Sequence, residues 1–126
     1  MGNTATPADI EHVLALGVPG VYAPPVPPDM QPPYSAAFAT GGSRSDYVRD
    51  VRYVDIDTWA ATEGEAIADA CALVPAVETL VGQTIDGATV ERVSVTTLPY
   101  VNPDPNRPDV SRATAAYEIV IKAVIS

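Results

Sequence analysis

The chain has 126 residues, enough for a single hydrophobic core that removes about two thirds of the unfolded surface from water without help from a metal or disulfide. Sixteen acidic residues against seven basic ones give a formal net charge of −9, and Lys122 is the single lysine beside six scattered arginines, so no basic face offers itself to nucleic-acid phosphates. Cys71 has no second cysteine to pair with; there is also no apolar run of about 20 residues and no charged-then-apolar N-terminal segment, which argues against membrane insertion and secretion.

In chain order, Thr6 and Pro7 predict the start of a short helix, with a capping hydroxyl, proline at the first helical position and Asp9 in the first turn. Ile10, Val13 and Leu14 fall on one face of it; Gly17 and Pro19 predict its end. Seven of the fifteen residues from Pro19 to Pro33 are proline, so residues 19–33 read as a stiff extended connector, with Pro-x-x-P spacing at Pro24 to Pro27 and Pro25 to Pro28 as a minor signal for a partner domain.

Tyr34 to Thr40 alternates as a strand, Gly41-Gly42-Ser43 predicts a turn, and Val48 to Ala60 predicts the returning strand. On that second strand Val54 and Ile56 point to the core, while Tyr53, Asp55, Asp57 and Trp59 point the other way. Thr62 and Glu65 have the reciprocal capping spacing for a helix from about Glu63, whose apolar stripe is Ala66, Ile67, Ala70, Cys71, Leu73 and Val74. Pro75 predicts a break near Val74.

Beyond Gly82 and Asp86-Gly87, Thr89 to Leu98 and Ala113 to Ile125 predict two strands that pair as a hairpin, the second with Tyr117, Ile119, Ile121, Ala123 and Ile125 on its apolar face. Residues 99–112, with four prolines, read as a long projecting hairpin loop. The sum is one α/β domain of α+β type spanning 1–126, a mainly antiparallel sheet of about four strands with two helices on one face.

Chemistry is sparse. His12 is the only histidine and has no nucleophile in a recognisable setting beside it. Cys71 lies on the apolar stripe and reads as a small core residue. Asp55 and Asp57 place two carboxylates on one strand face, yet no third ligand accompanies them, so no metal or cofactor is expected. Gly41 to Arg44 leads into a strand rather than a helix N-terminus and does not make a phosphate cradle. The residues best suited to protein contact are Arg44, Asp46, Arg49 and Arg52 in or beside the first hairpin loop, Tyr53, Asp55, Asp57 and Trp59 on the outward strand face, and Arg107 and Arg112 in the second loop. Solvated charges on a strand face remain the plain alternative.

The stretch TGGSRSDYVRDVRYVDIDTWAATEGEA, from Thr40 to Ala66, with its glycine pair, its alternating strand closing in Asp57-Thr58-Trp59-Ala60 and its Thr62-x-x-Glu65-Ala66 helix start, resembles the tail terminator (tail completion) proteins of long-tailed bacteriophages. The resemblance covers the central third of the chain; the flanks agree in element order and in a C-terminal strand of the kind YEIVIKAVI. It implies a structural protein without catalytic activity, made in the bacterial host and carried in the virion neck, that caps the tail tube as a hexameric ring between the tube protein and the head connector. DNA would then pass through the ring without specific binding, which an acidic surface favours by repelling the duplex. The alternatives are another neck protein such as a head-tail connector, a small metal-dependent enzyme using Asp55 and Asp57, and an adaptor that uses the proline-rich segment.

Overall fold

The computed structural model describes residues 5–122, 124 and 125. In chain order the elements are β1 (Ala5–Thr6), α1 (Ile10–Gly17), β2 (Val21–Tyr22), β3 (Tyr34–Arg44), β4 (Arg49–Ala60), α2 (Glu63–Glu78), β5 (Thr84–Ile85), β6 (Ala88–Val101), β7 (Ser111–Lys122) and β8 (Val124–Ile125). The fold is α+β. Its sheet has six strands in the order β2-β3-β4-β7-β6-β5, of which β3, β4, β7 and β6 form the expected antiparallel centre. Two short edge strands extend it beyond the expected four, and β2 pairs parallel to β3, so the sheet is mixed. A separate pair joins β1 to β8.

Side-chain alternation separates the two faces of the sheet. Val54 and Ile56 on β4 and Tyr117, Ile119 and Ile121 on β7 are buried with Ile10, Val13 and Leu14 of α1 and with Val77 and Leu80 at the end of α2, so both helices cover one face, as the alternation predicts. Ala123 and the side chain of Ile125, expected to continue that stripe, lie outside the described residues. Ala60, Ala66, Ala70 and Ala113 form a second buried cluster, where small side chains let α2 approach the sheet closely.

Local signals are partly redirected. α1 is capped by Asp9, whose carboxylate accepts from the His12 amide at 3.2 Å, and Thr6 is instead a strand residue paired with Val124. α2 starts as predicted, with the Thr62 hydroxyl accepting from the Glu65 amide at 3.2 Å, but runs through Pro75 to Glu78 without a break. Cys71 and Pro75 both lie on the solvent side of α2, where water can satisfy the carbonyl that proline leaves without a donor, and burial of Val77 and Leu80 anchors the following turn. Cys71 is accordingly exposed rather than a core residue.

The glycine pair is likewise not the turn. β3 continues through Gly41-Gly42-Ser43 after a bulge between Ala39 and Gly41, and the chain reverses over residues 45–48. Gly42, at φ +147°, sits so close to the Val51 carbonyl oxygen that a Cβ there would clash with backbone. Asp86-Gly87, with φ 53° and 80°, makes the two-residue turn from β5 into β6. Among the described residues no helix is long and apolar enough to cross a membrane.

Candidate protein-contact surface

Two groups of side chains lie at opposite ends of the β3–β4 hairpin. The first is the β3–β4 tip. Asp46 accepts from the amides of Val48 and Arg49, each at 2.9 Å, closing the turn, and these donors hold its carboxyl below the usual aspartate value. Arg44 meets the buried Asp50 with both ends of its fork, at 2.7 and 3.2 Å. Arg49 joins Glu91 of β6 at 2.6 Å and Asp46 at 3.2 Å, while Arg52 donates to the Ala8 carbonyl at 2.7 Å. Of the four predicted tip residues, Asp46 and Arg49 meet each other, Arg44 pairs with Asp50 and Arg52 reaches the Ala8 carbonyl, so within the chain these charges serve first to hold the hairpin. Tyr47 stands out at its apex, 72% exposed.

The second group covers the other end of the hairpin, on the sheet face away from the helices. Trp59 was expected to face outward for a partner, but it is buried inside the chain: it stacks on Tyr34 with ring centroids 4.7 Å apart, and its indole N–H donates to Asp104 at 2.9 Å. Val26 and Met30 from the proline-rich segment and Phe38 pack on the same cluster. Residues 19–33 are thus no projecting connector; they contribute β2, turn at Pro27 to Met30 through a 3.1 Å backbone bond, and lie against the sheet.

The second hairpin loop is shorter than expected and does not project. β6 and β7 extend into the predicted 99–112 span, leaving residues 102–110, and that loop is pinned to the face. Arg107 donates to the Met30 carbonyl at 2.6 Å and to the Tyr34 hydroxyl at 3.0 Å. Arg112 donates to the carbonyls of Asn102 and Pro103 at 2.8 and 3.1 Å and lies 3.8 and 3.9 Å from Asp57 and Asp104. Asp57 accepts from the Thr114 hydroxyl at 2.7 Å; burial raises its pKa, against the pull of Thr114 and Arg112. Burial raises Asp55 as well.

The two predicted arginines of this loop are therefore engaged within the chain. Of the outward residues on β4, Tyr53 is 43% exposed and Asp55 half-buried, so these two are the part of the predicted strand face that stays accessible; Tyr47, also exposed, was not among the predicted residues. Among the described residues no group of three or more His, Cys, Asp or Glu is placed to hold a metal ion. His12 lies 3.9 Å from Asp86 at the surface. Sequence reading missed Asp104, Asn102 and Tyr34 as organisers of the loop; the signal present was local, an aspartate whose carboxylate accepts from the amide two residues on, at Asn106. A comparison with protein-family models finds no match, and a comparison with curated proteins finds none either.

Proposed function

We propose that this chain is a structural assembly protein of a long-tailed bacteriophage, a tail terminator that closes the tail tube as a hexameric ring and offers its other side to the head connector. The observation that carries the reading is the folded form of the Thr40 to Ala66 stretch, the residues on which the sequence resemblance rests. Its hairpin tip is fixed by Arg44–Asp50 and Arg49–Glu91 contacts, runs into a long central strand, and hands over through Ala60 to a helix capped by Thr62. Charges already paired within the tip hold its shape before contact, which lowers the ordering cost of docking.

In this reading the work is stoichiometric binding. The exposed Tyr47 and Tyr53 supply area to the contact, and the acidic remainder of the surface lets DNA pass. The test is disruption of the gene in its virus, with tails measured by electron microscopy. Overlong tubes are the expected result. Tails of normal length that fail to join heads would overturn the terminator assignment in favour of a head-tail connector.

A further inference from the structure

On the sheet face away from the helices, three parts of the chain leave a pocket of about 370 Å³ between them. β3 and β4 contribute Phe38 and Trp59, the proline-rich segment contributes Pro24, Pro25 and Pro27, and the 102–110 loop contributes Asn106 and Arg107. The walls are held from behind. Trp59 is fixed by its stack on Tyr34 and its bond to Asp104, Arg107 by the Met30 carbonyl and the Tyr34 hydroxyl, and each proline ring fixes its own φ. Side chains free to move would close such a space to the density of a protein interior. Rings set on a stiff backbone keep it open, so a ligand that enters does not have to order the walls.

The polar part of the pocket has donors left over. Arg107 uses Nη1 for the Met30 carbonyl and the Tyr34 hydroxyl, at 2.6 and 3.0 Å, while its Nε and Nη2 have no hydrogen-bond partner among the described residues. The carboxylate of the exposed Asp109 stands 4.0 Å from Nη2, a surface contact that contributes little. The Arg107 side chain is 17% exposed, so an anion reaching this edge is met in surroundings poorer than water, where a charge-assisted hydrogen bond is strengthened. Asp104 also lines the pocket, but its charge is already answered: its oxygens accept from the Trp59 indole and the Asn106 amide, each at 2.9 Å, and Arg112 lies 3.9 Å away. The side-chain amide of Asn106 adds a further donor without a partner among the described residues.

We propose that this pocket binds a small aromatic carboxylate, its ring against Phe38, Trp59 and the prolines and its acid group on the Nε and Nη2 edge of Arg107, with the Asn106 amide beside it. Aromatic and pyrrolidine rings present the flat apolar lining that a ring ligand matches. The two parallel N–H groups of a guanidinium edge match the two oxygens of a carboxylate. The volume is near the lower end of the about 300–1,000 Å³ of small-molecule sites, room for one ring with a short acid arm. This site goes beyond the assembly reading and does not rest on it.

The test titrates the full chain with phenylacetate and, in parallel, with phenylacetamide, which carries the same ring without the charge. Trp59, the only tryptophan, reports through its emission, and amide shifts by NMR place the ligand. Expected are saturation by phenylacetate with shifts at Phe38, Trp59 and Asn106, an affinity on the order of tenfold weaker for phenylacetamide, and a loss with rising salt that only phenylacetate shows. Arg107→Gln should bring phenylacetate down to the level of phenylacetamide while phenylacetamide binds as it does to the wild type, which marks the pocket as still formed. Equal affinity of the two probes for the wild-type chain overturns the proposal, because the ring alone then accounts for binding. So does phenylacetate that fails to saturate the Trp59 signal, or that shifts amides away from these residues. The wild-type comparison decides by itself should the variant lose its fold.

Discussion

Asp104 and Tyr117 have their pKa values pushed in opposite directions and so guard opposite ends of the pH scale. For Asp104, burial alone would raise the pKa, but the Trp59 indole, the Asn106 amide, Arg112 and Arg107 together hold it below its ordinary value of 3.8. A carboxyl depressed by folding stabilises above its unfolded pKa, and the contribution is lost as pH falls through the folded one. Acid should therefore release the 102–110 loop from Trp59 below about pH 3.8. Trp59 is the only tryptophan, so its emission should shift red in that range, and Asp104→Asn should abolish the acid-dependent step while costing about 1–3 kcal/mol in urea unfolding. Burial, with Glu78 and Cys71 adding to it, pushes the Tyr117 hydroxyl up to about 12 from 10.0. Its neutral form is favoured by the fold, so that stabilisation is fully present below pH 10.0 and is lost as pH rises toward about 12. The same hydroxyl is buried without a hydrogen-bond partner among the described residues. Tyr117→Phe should thus leave stability at neutral pH unchanged or raise it by about 1 kcal/mol, and should flatten the alkaline loss when urea melts at about pH 8 and about pH 11 are compared.

Pro75 sits inside α2, where it removes one helical hydrogen bond, yet the helix continues to Glu78. Pro75→Ala should restore that bond and raise stability by about 1–2 kcal/mol in thermal or urea denaturation, with helical circular dichroism equal or greater. A loss of stability would mean that the ring itself packs usefully there. The sequence shows a proline and hence a break; what it cannot show is that Val77 and Leu80 have a core waiting on the far side. The same division holds elsewhere. Val54 with Ile56 and Tyr117 with Ile119 were legible because a period of two is a local property, and so was the Thr62 cap. Thr6 was misread as a cap because its strand partner, Val124, lies at the other end of the chain. Trp59 does lie on the face opposite Val54, but its burial was not legible because Asp104 and Tyr34, which enclose it, belong to other strands and loops. Gly41 and Gly42 announced positive φ correctly, but that conformation serves a bulge rather than a turn.

Arg107 ties remote parts of the molecule together. One guanidinium nitrogen reaches the Met30 carbonyl and the Tyr34 hydroxyl, joining the proline-rich segment, the start of β3 and the 102–110 loop across the sheet face. Arg107→Ala should therefore speed hydrogen exchange at the Met30 and Val110 amides, both bonded within their loops, while the amides of β4 and β7 stay as protected as before. Unchanged exchange at Met30 would show that apolar packing of Val26 and Met30 holds the segment without the arginine. At the other extreme of the chain, β1 and β8 pair antiparallel with Ala5 opposite Ile125 and Thr6 opposite Val124. Tension applied between the two ends meets this pair first, and in the geometry of a zipper: Ala5 must leave Ile125 before Thr6 leaves Val124, so the bonds fail in turn instead of sharing the load. Pulled by its ends, the protein should yield there at low force and release only its terminal residues, and the six-stranded sheet would begin to bear load after that clasp has opened.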